Sequence, residues 1–375
     1  MNQRSNPLFS IVTVCLNAEK TIRPTMESVL NQTWQDVEYI IVDGASTDAT
    51  LDIVQEFTKT DDRIQWHSEP DSGIFNAMNK GIRYAKGNFI LFLNTGDEFH
   101  SDDILEKAAG VVIGADIVIG DVAFKTDSGL IETTYPVGRD LFENLRKGRN
   151  VCHQVIFASK QCLDGGFDED FMFCADYDWL CRQVNAGKTI VKLEAVVTDF
   201  DLQGVTFQVR YQKQHWKEYF EVIRRNFPPT GFKYGSEVRE LFVQQKKDHI
   251  LYEFMNRWLM LKQRGIEISS FFSKKRIYTV AIYGIRCMGE RLYDELKESE
   301  VNVEYVIDRN PIELDGKVLV RHPDEELKPV DAVVITPIFD YLEIKDKLSD
   351  KLDCPMFFIE DVLFYEYEDA EHKTI

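Results

Sequence analysis

The chain of 375 residues is predicted to be an α/β protein, and three observations predict it. Short, almost wholly apolar runs stop at acids: Val37–Asp43 (VEYIIVD) closes on Asp43, and Asn88–Leu93 leads into Asn94, Thr95, Gly96 and Asp97. Between such runs lie segments with apolar residues at helical spacing, of which Ile74, Ala77, Met78, Ile82 and Ala85 form the clearest set. The two kinds of segment alternate, which predicts a parallel sheet with helices on both faces. Buried parallel strands read as continuous apolar runs, and the carboxyl edge of such a sheet is where open α/β folds bind ligands.

Taken in order, Phe9–Leu16 (FSIVTVCL) is the first buried strand. Thr21, Arg23 and Pro24 make a cap and first turn for a helix to about Asn31. Val37–Asp43 is the second strand, Gly44–Thr47 a turn, and Asp48 caps a helix through Phe57. Arg63–His67 is a short third strand. Ser68–Gly73 is a loop built on Pro70 and Gly73, ahead of the helix Ile74–Ala85 and the strand Asn88–Leu93. Beyond Asp97 the expected elements are a helix over Ser101–Ala109, a strand over Asp116–Gly120 leading into Asp121–Phe124, and Gly129–Tyr135 pairing back on it. Asn150–Phe157 carries Cys152, His153 and Gln154 ahead of an apolar run. Gly165–Asp168 is a turn, Asp176–Asn185 a helix and Thr189–Leu193 a strand. Residues 205–264 read as helical, broken at Pro228, Pro229 and Gly231, with a second stretch from Glu237 to about Lys262. A further small α/β unit opens near Arg276: strands at Tyr278–Tyr283, Val303–Asp308 and Ala332–Ile335, a turn at Gly284–Gly289, and a helix at Arg291–Lys297.

The net charge of −19 argues against nucleic acid as a partner, because phosphate backbones are bound by basic surfaces. The charge is uneven, with fifteen Lys/Arg against seven Asp/Glu over residues 205–276. Those basic, aromatic-rich helices have two readings: core helices with their charges in water, or a face resting on an anionic membrane. No apolar run approaches the roughly 20 residues that span a bilayer. MNQRSNPLF at the start has no signal-peptide character, and seven cysteines without a C-x-x-C pair fit a reducing cytoplasm. Cys152, His153, Cys162, Cys174 and Cys181 match no zinc spacing. Asp43, Asp71 and Asp97 all follow strands on one sheet edge. Such acids either cap turns or share a hard cation with an anionic substrate.

Four ordered blocks make a family resemblance specific. FSIVTVCLNAEKTIRPTMESVLNQTW, YIIVDGASTDAT, EPDSGIFNAMNKGI and FLNTGDEF resemble the signature blocks of family 2 glycosyltransferases with the GT-A fold, over roughly residues 8–200. The resemblance implies an inverting transfer of a sugar from a nucleotide-sugar donor, most often a UDP-sugar, to a glycan or polyprenyl-linked acceptor in surface polysaccharide synthesis. By it, Thr13, Asn17 and Asp43 hold the nucleotide, with Ser46 nearby. Asp71, Gly73 and Asn76 line the donor pocket, and His153 and Gln154 line the donor or acceptor pocket. Most members carry D-x-D at the end of the fourth strand. Here the run is Asn94-Thr95-Gly96-Asp97, so Asp97 and the amide oxygen of Asn94 are the expected ligands of Mn²⁺ or Mg²⁺. Asp176 occupies the position of the general base, although the family's Glu-Asp pair is Ala175-Asp176 here; the plainer role is a helix cap. Asp178 is the weaker candidate. Gln212–Trp216 (QKQHW) loosely resembles Q-x-x-R-W, with His215 for Arg, and suggests that Gln212, His215 and Trp216 fold over the donor.

The expected organisation is thus a GT-A domain (1–204), a helical segment (205–275) and a Rossmann-like domain (276–375), working in the cytoplasm or on the inner face of the membrane. The last unit resembles nucleotide-binding domains of bacterial sugar-modifying enzymes. Gly284, Gly289 and Asp308 sit at fingerprint positions, but Arg286 replaces the middle glycine. A structural or oligomerising role, as in a homo-oligomer, is expected ahead of dinucleotide binding or an NAD-dependent activity. The rival to the enzyme is a non-catalytic module that only holds a nucleotide sugar or a partner.

Overall fold

A computed structural model describes residues 6–126, 129–201, 211–227, 250–252, 254–285, 288–310, 318–337 and 340–370. The chain divides into two compact units, residues 1–204 with 215–230, and residues 205–214 with 231–375. Part of the expected helical segment therefore belongs with each unit. The start of the stretch expected from Glu237, and Arg286, lie outside the described residues.

In the first unit, β1 (Phe9–Cys15), β2 (Val37–Asp43), β3 (Ile64–Ser68) and β4 (Phe89–Phe92) are parallel neighbours in the order β3-β2-β1-β4. All seven residues of β1 and of β2 are buried, which is why their sequences run apolar rather than alternating. The sequence predicts a parallel sheet, but beyond β4 the pairing becomes mixed. β8 (Ile156–Ser159) runs antiparallel to β4 and to β6 (Ile117–Thr126), then β9 (Ile190–Asp201) and β5 (Glu98–Phe99) complete it, and β7 (Gly129–Thr133) pairs with β6. β6 is one strand where two pieces were expected, and β9 continues eight residues past Leu193. The two pair in parallel, and register shifts around Asp121 absorb the irregularity that made each look broken in sequence.

The helices are α1 (Ile22–Leu30), α2 (Thr50–Thr58), α3 (Ile74–Tyr84), α4 (Ile104–Ala109), α5 (Gly138–Arg146), α6 (Ala175–Asn185) and α7 (Gln212–Asn226). α3 lies close on β1 because Gly81 has no side chain: a Cβ there would sit 2.5 Å from Val12 Cγ1. α5 is absent from the sequence reading. Only Leu141 and Leu145 anchor it, too few for a clear period. A buried carboxylate, Glu38, ties the lower end of the sheet. It accepts the Ser10 hydroxyl at 2.5 Å and the backbone N–H groups of Lys86 and Gly87 at 2.5 and 3.0 Å.

The second unit holds an all-parallel sheet, β12-β11-β10-β13-β14, from β10 (Thr279–Tyr283), β11 (Asn302–Ile307), β12 (Leu319–Arg321), β13 (Ala332–Ile335) and β14 (Met356–Phe358). Gly284, at φ 83°, lies so near Gly289 that no Cβ fits at residue 289. Asp308 accepts the N–H of Ile285 at 3.1 Å and of Asn310 at 2.9 Å. Among the described residues no helix is long and apolar enough to cross a membrane.

Candidate active site

The carboxyl edge of β1 to β4 gathers most of the residues singled out in sequence. Asp43 ends β2 in register with Cys15 and Ser68 and is fully buried. Its oxygens accept the Ser46 hydroxyl, the Ser46 N–H at 3.0 Å and the Ser68 hydroxyl at 2.6 Å. Burial and Asp43 together push the neighbouring Cys15 thiol far up, so it stays protonated. Asn17 takes a left-handed conformation, φ 52°, where its Oδ1 accepts the Thr47 N–H at 2.9 Å and its own N–H meets Ser46 Oγ at 2.8 Å. The loops after β1 and β2 are thus stitched together, and Asp43 is the post they are tied to. Thr13 faces inward. It is fully buried and donates to Leu93 O at 2.6 Å, so its side chain fastens β1 to the end of β4.

The second cluster surrounds the start of α3. Asp71 accepts the Gly73 N–H at 3.0 Å, and Gly73 sits at φ 145°, a conformation open to glycine. A Cβ on Gly44 would fall 2.5 Å from Asp71 Oδ2, so residue 44 must be small for Asp71 to stand there. Asn76 donates to Glu169 Oε2 at 2.8 Å and Asn79 to Glu169 Oε1 at 2.7 Å. These two amides draw the Glu169 carboxyl below its ordinary value.

Beyond β4 the geometry departs from expectation. Asp97 is 4% exposed, and both of its oxygens are engaged: Oδ2 by Gln154 Nε2 at 2.9 Å, Oδ1 by the Asp201 N–H at 2.9 Å. These two contacts tie the end of β4 to β9 and to the chain around Gln154. Asn94 differs, because its Oδ1 is buried with no hydrogen-bond partner. An amide oxygen without a donor can ligate a hard cation, as a single neutral ligand. Among the described residues no three of His, Cys, Asp and Glu converge as a metal cluster.

Burial pushes the Asp97 carboxyl up to about 6 from 3.8, with Asp201 adding repulsion and the two hydrogen bonds opposing both. A carboxyl raised in the folded state binds its proton more tightly there than in the unfolded chain. The contribution of Asp97 to stability is then greatest below about pH 4 and is lost as pH climbs through 6, by about 2–3 kcal/mol. Asp97→Asn removes this dependence, and the free Gln154 Oε1 can turn to meet the new amide. Denaturant unfolding at pH 4.5 and 7.5 is expected to show the difference between variant and parent moving in the variant's favour by that amount. A difference independent of pH would contradict the assignment.

The third cluster brings chain from far away. Asp176 lies in the first turn of α6, where the helix N-terminus favours a carboxylate. The cap position is Cys174, whose side chain makes no capping bond, while Asp176 Oδ1 accepts the first-turn N–H of Tyr177 at 2.7 Å. His153 Nδ1 is 3.0 Å from Asp176 Oδ2, and His153 Nε2 is 2.9 Å from Asn94 Nδ2. The side chains of His153 and Asp176 are 15% and 14% exposed. Asp178 is buried and held by Arg182 Nε and Asn226 Nδ2, both at 2.8 Å, which ties α6 to α7. His215, on α7, has its ring edge on Phe173. Burial lowers its pKa, against the pull of Asp176 and Glu218. Gln212 and Trp216 are half-buried on the same helix.

Sequence reasoning missed Glu218. This buried carboxylate accepts the N–H groups of Met172, Phe173 and Cys174 at 3.0, 2.8 and 3.2 Å, the three residues ahead of α6. It also missed Glu169 and Asp201. The available signal for Glu218 was its place one turn after His215, on the same helix face.

Residues 10–158 match the family model described as Glycosyl transferase family 2. A "PGL/p-HBAD biosynthesis glycosyltransferase" of Mycobacterium bovis is 32% identical over 182 residues, 47% of this chain and 69% of that protein. The "Putative teichuronic acid biosynthesis glycosyltransferase TuaG" of Bacillus subtilis is 42% identical over 102 residues, 27% of this chain and 40% of its own length. Among solved structures, S. aureus TarS 1-349 in complex with UDP aligns with a TM-score of 0.46 and 17% identity, over 60% of this chain and 67% of that one.

Proposed function

The chain belongs to the family 2 glycosyltransferases, and from that membership we propose an inverting transfer of a sugar from a nucleotide-sugar donor to an acceptor hydroxyl, with Asp176 as general base. The observation that carries the proposal is the meeting of Asp176 with the end of β4 through His153. It brings an acceptor-side carboxylate to the sheet edge where the donor is expected, which is the geometry that a single displacement needs.

In this reading the acceptor O–H proton passes to Asp176 as the oxygen attacks the anomeric carbon. The bond from that carbon to the diphosphate oxygen breaks, and the electron pair leaves on the nucleoside diphosphate. The loops tied to Asp43 shape the nucleotide side of the pocket, with Asn17 and Ser46 on its surface. Asp71, Gly73 and Asn76 form the wall at the start of α3. A bound Mn²⁺ or Mg²⁺ would stabilise charge on the departing diphosphate. Asn94 Oδ1, which has no hydrogen-bond partner, would be a protein ligand to it, and the donor and water would complete its shell.

UDP is the nucleotide we favour, on family grounds. The names of the two curated relatives support glycan assembly at the cell surface as the setting, with a glycan or polyprenyl-linked acceptor. Work on the inner face of the membrane is part of the same proposal, and failure to float with anionic liposomes would remove it. The test of the function is release of nucleoside diphosphate from a panel of UDP- and GDP-sugars, with and without Mn²⁺. Release from one or a few donors is expected; silence across the panel would overturn the reading.

A further inference from the structure

His153 stands between the two halves of the site, and its two contacts demand the same form of the ring. Asn94 Nδ2 is an amide nitrogen and donates, so His153 Nε2, 2.9 Å away, must accept and carry no proton. His153 Nδ1 faces the carboxylate Asp176 Oδ2 at 3.0 Å, so it must donate. The ring is thereby fixed as the Nδ1–H tautomer, the less common one for an imidazole in water. The same amide orientation leaves Asn94 Oδ1 without a partner, turned toward neither His153 nor any other donor. Turning the amide over would satisfy Oδ1 only by placing a proton on Nε2.

We propose that His153 is a positioning residue for the base. Its Nδ1–H holds Asp176 Oδ2 in place, while Asn94, at the donor edge, selects the tautomer that can do so. The proposal rests on the reading of Asp176 as the base, and it adds a coupling that reading lacks. The orientation of the acceptor-side carboxylate depends on a side chain at the end of β4. Tyr177 N–H takes the other oxygen, Oδ1, at 2.7 Å, so the carboxylate is held from two directions and keeps lone pairs free for the incoming hydroxyl. A second-partner hydrogen bond that fixes a catalytic group's orientation is the arrangement by which an aspartate serves the histidine of hydrolytic triads, with the roles exchanged here.

Two substitutions separate the ring's contacts. In His153→Asn the amide lies near the place of Nδ1 and keeps a donor for Asp176. In His153→Gln it lies near the place of Nε2 and keeps the contact to Asn94 only. With the donor found active in the nucleotide-release panel, His153→Asn is expected to retain at least about tenfold more kcat than His153→Gln, at matching donor KM. Equal kcat in the two variants would overturn the proposal. The companion measurement needs no substrate: ¹⁵N spectra of protein labelled at histidine, with the His153 signals identified by their loss in His153→Asn. A protonated Nδ1 and bare Nε2 are expected, relaxing toward the Nε2–H form in Asn94→Ala and in Asp176→Ala. An Nε2–H ring in the unaltered protein overturns the proposal and leaves glycosyl transfer standing. The expected tautomer together with a fully active Asp176→Asn instead removes Asp176 as base, and the proposal with it.

Discussion

Asp176→Asn is expected to lower kcat by about 10³-fold while leaving the fold intact. Asparagine has the same shape, and its Oδ1 can still accept the His153 Nδ1–H that Asp176 accepts at 3.0 Å. Its NH₂ then faces the Tyr177 N–H, which Asp176 Oδ1 accepts at 2.7 Å, so that one helix-end contact is lost. What disappears is the capacity to take a proton from the acceptor hydroxyl. Loss of kcat with a thermal midpoint within a few degrees of the parent is therefore the signature. A variant within tenfold of the parent kcat would show that some other group accepts the proton. Asp178 is a poor substitute, because its side chain is only 5% exposed and is ion-paired with Arg182.

Glu218→Ala carries the second large effect, first on stability and through it on turnover. Glu218 is 4% exposed and gathers three backbone N–H groups from consecutive residues. Removing it strands the N–H groups of buried Cys174 and half-buried Phe173, while that of exposed Met172 can find water. A buried donor left without a partner costs about 1–3 kcal/mol, so a total near 3 kcal/mol is expected. In a unit of this size that is a fall of roughly 6–12 °C in its thermal midpoint. The freed loop runs directly into Cys174 and Asp176, so kcat is expected to fall as well. Glu218→Gln is expected to recover most of the loss, because its amide oxygen in the place of Oε2 still accepts the Phe173 and Cys174 N–H groups, and its NH₂ faces only the exposed Met172 N–H. A midpoint within 2 °C of the parent would mean that the three N–H groups find other acceptors.

These two residues mark the limits of what was legible in the sequence. The carboxyl edge of the first sheet was legible because it is local: strands that end in acids, glycines where the backbone must turn, and a helix with a regular apolar face. Asp43, Asp71, Gly73 and Asn94 all lie at such junctions. Asp97 was legible as a strand-end acid, but its role was not. Burial comes from Gln154 and the Asp201 N–H, 57 and 104 residues further along the chain. Nothing in the run Asn94–Asp97 announces that closure by β9. Glu218 was hidden for a related reason. Its partners are main-chain groups 44 to 46 residues away, and backbone N–H groups leave no mark in a sequence. The helix α5 escaped because two leucines in nine residues give no period. The family match itself stops at residue 158, ahead of Asp176, so the base rests on geometry and resemblance together.

The central claim is a single displacement with Asp176 taking the acceptor's proton and no covalent intermediate. The measurement that tests it most directly is the anomeric configuration of the sugar at the moment of release. With the active donor and water as acceptor, proton NMR followed before mutarotation is predicted to show the anomer opposite to the donor's linkage. Release of the anomer that matches the donor would contradict the account, since it requires either two successive displacements or departure and return on one face.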